Sequence, residues 1–275
     1  MKFYVVGILN VTPDSFYDGG RYSLEDKAFE HALSLIEEGA DILDVGGEST
    51  RPGSERVDCQ EEIKRVIPVI ERLAKEGRVP VSIDTTKSDV ARRAMEAGAS
   101  MVNDISGFMM DPKMASVVAQ GKAQVVLSHI QGTPKEMQKK PVYENVTQDV
   151  IGFFKKQMET AFQQGVLKDQ IILDPGIGFG KTVEHNLQIL REFDLFLELG
   201  RPLMIGTSRK SFIGRLQKDR GPEDRLTGSL MTAAWAFQKG ATYFRVHDVC
   251  ETKRALTMMT ELMKKGDPSG PWPSG

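Results

Sequence analysis

The sequence predicts an α/β fold, a single (β/α)8 TIM barrel, and three observations support this prediction. Within 275 residues, eight short apolar runs alternate with stretches that have helical apolar spacing. Parallel strands covered on both faces have such apolar runs, and these barrels commonly contain about 250 residues. A Gly-Ala-polar triplet also recurs at residues 39–41, 98–100 and 240–242, between a helical stretch and a strand each time. An open, doubly wound sheet is the alternative, because a count of strands does not establish closure.

Each strand is predicted from a short run of β-branched and other apolar residues that ends in polar residues or glycine. In chain order the predicted strands are 4–9, 42–45, 80–84, 101–104, 124–128, 171–174, 203–206 and 243–246.

The segments between the strands have apolar residues three and four positions apart, as one buried helical face requires. In the first segment Ala28, Ala32 and Leu35 share such a stripe. Glycines follow several of the segments, where a helix commonly stops in the left-handed conformation. The predicted helices are 24–38, 60–75, 88–97, 114–120, 146–164, 183–191, 224–238 and 251–264. On the last helix an apolar stripe fits a core or an interface equally well; it comprises Met258, Met259, Leu262 and Met263.

Composition limits the domain organisation and the partners. We expect one domain over residues 1–265 and a disordered tail over 266–275, which holds three glycines and three prolines. With 36 Lys and Arg against 38 Asp and Glu, the net charge of −2 argues against a nucleic-acid or membrane-surface partner. No apolar run approaches the roughly 18 residues of a membrane span, and the N-terminus is typical of a strand rather than a signal peptide. Two isolated cysteines fit the reducing cytoplasm, where we expect the protein.

Polar residues follow every predicted strand at its carboxyl end, which carries the active site in (β/α)8 barrels. Carboxylates and an amide suit a flat heterocycle with N–H donors, because an ionised carboxylate accepts two parallel hydrogen bonds. Cations suit an anionic leaving group such as phosphate or pyrophosphate. An Asn10 side chain that binds Mg²⁺ would extend the anion site. The other candidates are Asp84, Asn103, Asp104, Asp174, Arg51, Arg209, Lys210, Arg245 and His247.

Structural explanations compete with these functional ones. Asp84 or Asp174 taken singly fits a helix N-cap equally well, and their occurrence with Asn103 favours ligand binding. Arg245 and His247 alternate on the last strand, so both point into the barrel mouth. Unpaired cations are costly there, which favours phosphate binding over a structural salt bridge.

Three further features are interpreted more simply. We interpret His129 as a buried, hydrogen-bonded imidazole. The long loops after strands 1 and 2 are either lids or surface insertions, with the lid favoured. The glycine-rich stretch 176–182 has Pro175 where a phosphate-binding loop needs its first glycine, so a nucleotide cofactor is disfavoured.

Seven motifs occur in order along the chain. They are Asn-Val-Thr-Pro-Asp-Ser-Phe at 10–16 with Asp-Gly-Gly at 18–20, Asp-Val-Gly-Gly-Glu-Ser-Thr-Arg-Pro-Gly at 44–53, Ser-Ile-Asp-Thr at 82–85, Asn-Asp-Ile-Ser-Gly at 103–107, Asp-Pro-Gly-Ile-Gly-Phe-Gly-Lys at 174–181, Ser-Arg-Lys-Ser at 208–211 and Arg-Val-His-Asp at 245–248. Together they resemble dihydropteroate synthase over nearly the whole chain. The stretches 10–16 and 46–53 are long and specific to that family.

The resemblance implies a folate-pathway transferase on a TIM barrel, a sulfonamide target and a homodimer. It would join 6-hydroxymethyl-7,8-dihydropterin pyrophosphate to p-aminobenzoate and release pyrophosphate with Mg²⁺. The implied catalytic residues are Asp84, Lys210 and Arg245. The implied ligands are Asp84, Asn103, Asp174 and Lys210 for the pterin; Asn10, Arg245 and His247 for pyrophosphate; Thr50, Arg51, Pro52, Phe179 and Ser211 for p-aminobenzoate; and Asn10 for the metal.

One residue departs from the family pattern, and two other functions stay open. Ser128 stands before His129, where the family usually has methionine, and its effect on packing beneath the pterin is left open. A non-catalytic pterin-binding paralogue is one alternative, against which the intact first two loops argue. A corrinoid-linked pterin methyltransferase is the other; it would have no use for the Thr-Arg-Pro loop or the pyrophosphate cluster.

Overall fold

A computed structural model describes residues 2–12, 24–50, 53–219 and 221–264 of the protein. The strands are β1 (Tyr4–Asn10), β2 (Ile42–Gly46), β3 (Val81–Asp84), β4 (Met101–Asp104), β5 (Gln124–Ser128), β6 (Ile171–Asp174), β7 (Met204–Ile205) and β8 (Tyr243–Val246). The helices are α1 (Leu24–Glu37), α2 (Cys59–Glu76), α3 (Ser88–Glu96), α4 (Met114–Gly121), α5 (Val146–Gln163), α6 (Val183–Arg191), α7 (Ser211–Gln217), α8 (Leu226–Gln238) and α9 (Val249–Met263). Within these described ranges, 3-10 turns lie at Lys168–Gln170, Phe193–Leu199 and Pro222–Arg225. The predicted tail over 266–275 lies outside the described residues.

The eight strands form one parallel sheet that closes into a barrel. The strand order is β6-β5-β4-β3-β2-β1-β8-β7. A parallel bridge between Leu173 and Leu203 joins the two ends, and the Leu173 N–H donates to Pro202 O at 3.0 Å. Closure confirms the predicted barrel and excludes the open sheet.

All eight predicted strands are confirmed, and each end lies within one residue of its predicted place. The eight predicted helices are confirmed too, although α8 begins at Leu226 because residues 222–225 form a 3-10 turn. Helix α7 was missed, because its seven residues include Gly214 and are too short to show an apolar stripe. A Cβ atom at Gly214 would lie 2.5 Å from the Asp219 carboxylate, so this glycine permits close packing.

The core has two main parts, besides a small apolar cluster around Ile105 and Ile130. One lies between the strands and the surrounding helices; the other fills the barrel interior and comprises Val6, Ile42, Met101, Val126, Ile172, Met204 and Tyr243. On the last helix Met259 packs against the first part, whereas Met258 and Leu262 are 61% and 71% exposed. In the described part of the chain no helix is long and apolar enough to cross a membrane.

Candidate active site

The inward face of the barrel changes from apolar to polar towards the carboxyl ends of the strands. Side chains alternate along a strand, so the residue two positions after an interior apolar residue also points inward. By this rule Asp44 follows Ile42, Asn103 follows Met101 and Asp174 follows Ile172. The strand register places these polar residues at the same level. Gly46 pairs with Asn10 on one side and with Asp84 on the other, and Asp84 pairs with Asn103. Four of the predicted residues, Asn10, Asp84, Asn103 and Asp174, therefore collect at one mouth.

Arg245 lies at the centre of this mouth and is paired with two carboxylates. Its Nε donates to Asp44 Oδ2 and its Nη2 to Asp84 Oδ2, both at 2.6 Å. Asn103 Nδ2 donates to the same Asp44 oxygen at 2.9 Å. The expectation of an unpaired cation at Arg245 is therefore wrong, since Asp44 of β2 and Asp84 of β3 each supply a carboxylate. Asp44 was not among the predicted site residues, although its place two residues after an inward apolar side chain was a usable signal.

Burial raises the pKa of Asp84, against the opposing effect of Arg245, and the nearby charge of Asp44 adds to the rise. Burial also raises the pKa of Asp174, whose Oδ1 accepts a 2.8 Å hydrogen bond from the Gly176 N–H. Neither aspartate caps a helix, because the N-caps of α3 and α6 are Lys87 and Thr182. The N-cap alternative is thus excluded for both.

Lys210 enters the site from the N-cap position of α7. Its ammonium group lies 4.0 Å from the centre of the Phe179 ring. Burial lowers the pKa of Lys210 to about 8, and the positive charge of Arg245 contributes. The loop after β6 makes room for this side chain at Gly178, where a Cβ atom would lie 3.1 Å from Lys210 Cδ.

His247 is a neutral imidazole at this mouth. Its Nδ1 lies 3.1 Å from Ser208 Oγ, which also accepts a hydrogen bond from the His247 backbone N–H. Burial, aided by Arg245 and Arg209, lowers the pKa of His247 to about 3. The Ser208 hydroxyl has one proton and two lone pairs, so it can pair with Nδ1 in either tautomer of the neutral ring. His247 therefore contributes a polar, uncharged ring to the mouth.

The residues expected at the p-aminobenzoate site are more scattered. Thr50 is half-buried on a cleft of about 490 Å³ beside Asp84. Phe179 is buried in a small apolar cluster with Ile105 and Ile130. Ser211 is exposed at the start of α7 and lines a separate, smaller depression. Arg51 and Pro52 lie outside the described residues.

The loop after β2 contributes the far wall of this cleft and contacts a neighbouring loop. The Gly53 N–H donates to Pro134 O at 3.1 Å. Lys87 joins two glutamates beneath the same loop, as its Nζ bonds Glu48 and lies 2.5 Å from Glu62 Oε2. These contacts hold the loop after β2 to the loops after β3 and β5. Its lid behaviour stays a prediction, and most of the loop after β1 lies outside the described residues.

Other candidates have structural partners. Asp104 accepts from the Ser106 hydroxyl and backbone N–H and from the Phe108 N–H, so it organises the turn after β4. Arg209 forms a two-point ion pair with Asp248. His129 is buried as expected, and its Nδ1 lies 2.9 Å from Lys181 Nζ. Lys181 also donates to Gly176 O and Phe179 O, so it fixes the loop after β6.

The described residues contain no group of three or more His, Cys, Asp or Glu side chains placed to hold a metal ion. Mg²⁺ usually keeps several waters and takes one or two protein oxygens plus substrate phosphates. A single amide oxygen beside an anion site fits that donor set. The absence of a side chain at Gly46 leaves space next to the Asn10 amide, since a Cβ atom at Gly46 would lie 3.8 Å from Asn10 Oδ1.

Comparison with known proteins agrees with this geometry. The model of the family described as "Pterin binding enzyme" matches residues 6–247. The chain is 48% identical to the dihydropteroate synthase of Bacillus subtilis over 265 residues, which is 96% of this chain and 90% of the relative. It is also 48% identical to the Synechocystis sp. enzyme, over 90% of this chain and 86% of the relative.

The chain belongs to the dihydropteroate synthase family. Solved structures of that family share the fold. Xanthomonas albilineans dihydropteroate synthase with 4-aminobenzoic acid has a TM-score of 0.92 at 43% identity, over 96% of this chain and 94% of the other. Dihydropteroate synthase from the same organism in complex with 7,8-dihydropteroate has a TM-score of 0.88 at 40% identity, over 96% and 95%. The protein is a transferase of a pterin-methylene group, and its function is dihydropteroate synthesis.

Proposed function

We propose that the barrel mouth binds 6-hydroxymethyl-7,8-dihydropterin pyrophosphate through Asp84, Asn103, Asp174 and Lys210. The observation that carries this proposal is a set of buried acceptors. Asp84 Oδ1 and Asn103 Oδ1 are buried and have no hydrogen-bond partner among the described residues. A buried acceptor left without a donor is costly, and the N–H groups of a pterin would satisfy it. The 2-amino-4-oxo edge offers adjacent N–H donors to one carboxylate, which we assign to Asp174.

The pyrophosphate lies towards His247 and Arg245 in this proposal. His247 contributes a polar, uncharged ring. Arg245 uses two of its five N–H donors on Asp44 and Asp84, which leaves the others for phosphate oxygens. Asn10 would hold Mg²⁺ together with pyrophosphate oxygens. The bound ion would supply charge stabilisation for the leaving group.

The p-aminobenzoate site is assigned to Thr50, Arg51, Pro52, Phe179 and Ser211, with Lys210 between it and the pterin. Two solved relatives support a site for such a ligand. The Xanthomonas albilineans enzyme has been solved with 4-aminobenzoic acid, and the Yersinia pestis enzyme has been solved with a sulfonamide drug complex. We therefore propose that sulfonamides compete with p-aminobenzoate in this protein.

The reaction breaks the C–O bond between the pterin methylene and pyrophosphate, and the electron pair leaves with pyrophosphate. Asp84 stabilises the positive charge that develops on the pterin. The amine of p-aminobenzoate attacks the methylene carbon, forms the C–N bond and releases one proton to water. Because an arylamine is neutral at pH 7, the step requires no strong base. The loops after β1 and β2 would exclude water, which competes for the same carbon.

A product assay tests these assignments. The purified protein is incubated with the pterin pyrophosphate, p-aminobenzoate and Mg²⁺, and dihydropteroate is measured by chromatography. We expect product formation, inhibition by a sulfonamide that a higher p-aminobenzoate concentration reverses, and loss of the rate with a chelator. Asn10→Ala should raise the Mg²⁺ concentration needed for half-maximal rate. Folded protein that forms no product, or a rate unaffected by the chelator, would contradict the corresponding assignment.

We propose further that the protein is a cytoplasmic homodimer, as the family resemblance implies. Exposed apolar side chains on α8 and α9 are available to a second copy; they include Met231, Trp235, Met258 and Leu262. Sedimentation equilibrium should give twice the chain mass of 30.5 kDa.

A further inference from the structure

Asp44 lies in the barrel interior and connects two of the proposed substrate-binding side chains. It is 1% exposed, and its Oδ2 accepts from Asn103 Nδ2 at 2.9 Å and from Arg245 Nε at 2.6 Å. None of the roles proposed above uses Asp44. Its position two residues before Gly46 places it just below the mouth.

The contact between Asp44 and Asn103 fixes which end of the amide group faces the ligand. Asp44 Oδ2 accepts from both the Arg245 guanidinium and Asn103 Nδ2, so the amide nitrogen faces Asp44. Asn103 Oδ1 is then turned away, and it has no partner among the described residues. Asp84, which pairs with Asn103 in the strand register, likewise has an unpartnered Oδ1 in the described part of the chain. Two adjacent positions thus both present acceptors.

We propose that Asp44 is a positioning residue that sets the hydrogen-bond polarity of the pterin pocket through Asn103. The two ends of an amide have nearly the same shape, so packing alone does not choose between them. Without Asp44 the amide is free to turn by half a rotation. Its nitrogen would then face a ligand N–H group, and a donor would meet a donor. This inference rests on the proposed contact of Asn103 with the pterin.

Two substitutions separate hydrogen bonding from charge. Asp44→Leu removes the acceptor, whereas Asp44→Asn removes the charge and keeps one acceptor oxygen. We expect Asp44→Leu to raise KM for the pterin pyrophosphate at least about tenfold and to change KM for p-aminobenzoate less than about twofold. Asp44→Asn should stay within about threefold of the unmodified protein for both substrates. Similar losses in both variants, or an unchanged pterin KM in Asp44→Leu, would overturn the proposal.

A matched control and a rescue variant sharpen the test. Ser82 is buried and pairs with Asp44 in the strand register, and its hydroxyl has no partner among the described residues. Ser82→Ala therefore changes the same layer of the barrel and should leave both KM values unchanged. Asn103→Asp should weaken pterin binding by itself, because it sets a second carboxylate against Asp44. In the Asp44→Leu background it should restore binding, since a carboxylate presents an acceptor in either orientation. The absence of this reversal would count against the proposal.

Two measurements keep the inference testable if a variant fails to fold or to turn over. The first is calorimetric binding of the pterin pyrophosphate without p-aminobenzoate, which tests the role of Asp44 independently of turnover. If the unmodified protein binds the pterin pyrophosphate but makes no dihydropteroate, the proposed function is contradicted and the role of Asp44 can still be tested. In the unmodified protein, one side-chain N–H of Asn103 should exchange slowly in the amide NMR spectrum, because it is bound to a buried carboxylate. Rapid exchange of both protons would overturn the proposal.

Discussion

The ammonium group of Lys210 lies 4.0 Å from the centre of the Phe179 ring. The two residues come from different loops, after β7 and after β6, and the contact places a cation on an aromatic face between the two proposed substrate sites. A cation so placed is stabilised by about 1 kcal/mol or more when it is partly desolvated. The contact therefore couples the position of Lys210 to the loop that follows Asp174.

Phe179→Leu is expected to raise KM for p-aminobenzoate about fivefold, which corresponds to about 1 kcal/mol of lost contact energy. KM for the pterin should change less, because the carboxylates proposed to bind the pterin are untouched. Steady-state kinetics with each substrate varied in turn measures both values. Phe162→Leu, at an exposed aromatic residue of α5, is the control and should behave like the unmodified protein. Equal changes in the two KM values would contradict the assignment of Phe179.

The pH profile of kcat/KM is expected to have an alkaline limb, in which kcat/KM falls as the pH rises through about 8. Lys210 has its pKa lowered to about 8, so its ammonium form is present below that pH and is lost as the pH rises through it. Lys210→Arg keeps the positive charge at all these pH values and should remove the limb, although its different shape lowers the rate. A pH profile of both proteins measures this. An alkaline limb that is unchanged in Lys210→Arg would show that another group titrates.

Asp174→Asn is expected to reduce kcat/KM at least tenfold, about 1.4 kcal/mol of transition-state stabilisation, because it removes the carboxylate that faces the pterin. That contact with the pterin is the proposed one. The substitution keeps an oxygen for the Gly176 N–H, so the loop should stay in place. Asp169→Asn, at an exposed residue of the 3-10 turn before β6, changes the opposite end of the barrel and serves as the control. Equal kcat/KM values for the two variants would exclude the proposed role of Asp174.

Gly176→Ala is expected to lower the free energy of unfolding by more than about 4 kcal/mol, or to prevent folding. Gly176 has φ +71°, and a Cβ atom would lie 1.9 Å from His129 O. Gly200→Ala separates the backbone strain of a positive φ from the collision of the added Cβ atom. Gly200 has φ +62°, and none of the described residues lies within 4 Å of a Cβ atom added there. That variant should lose only about 1–2 kcal/mol. Urea denaturation measures both, and similar losses would mean that the collision is relieved by local movement.

Much of the site could be predicted because its residues occupy a repeated place in the chain. Each strand ends in polar residues, and the alternation of side chains decides which of them point inward. This rule was sufficient for Asn10, Asn103 and Asp174. It also separates Asn103 from Asp104, which points to the other side and organises a turn.

The partners of these side chains were less accessible to sequence reasoning. Lys181 looked like part of a glycine-rich motif, and the structure buries it against His129 and two carbonyl oxygens. Lys87 and Glu62 are 25 residues apart in the chain, and the structure pairs them beneath the loop after β2. A hydrogen-bond partner depends on side-chain geometry in three dimensions, which periodicity does not encode.

The sequence by itself determined the eight strands and the helices between them, their order and the end of the strands that collects polar residues, because helical and strand periods and turn residues act locally along the chain. Only the tertiary structure decided the charge state of the mouth. Arg245 meets Asp44 across 201 residues and Asp84 across 161, because the closed sheet brings β8 close to β2 and β3. Closure thus converts an expected unpaired cation into a shared ion pair, and it also orients Asn103 through the same Asp44 oxygen.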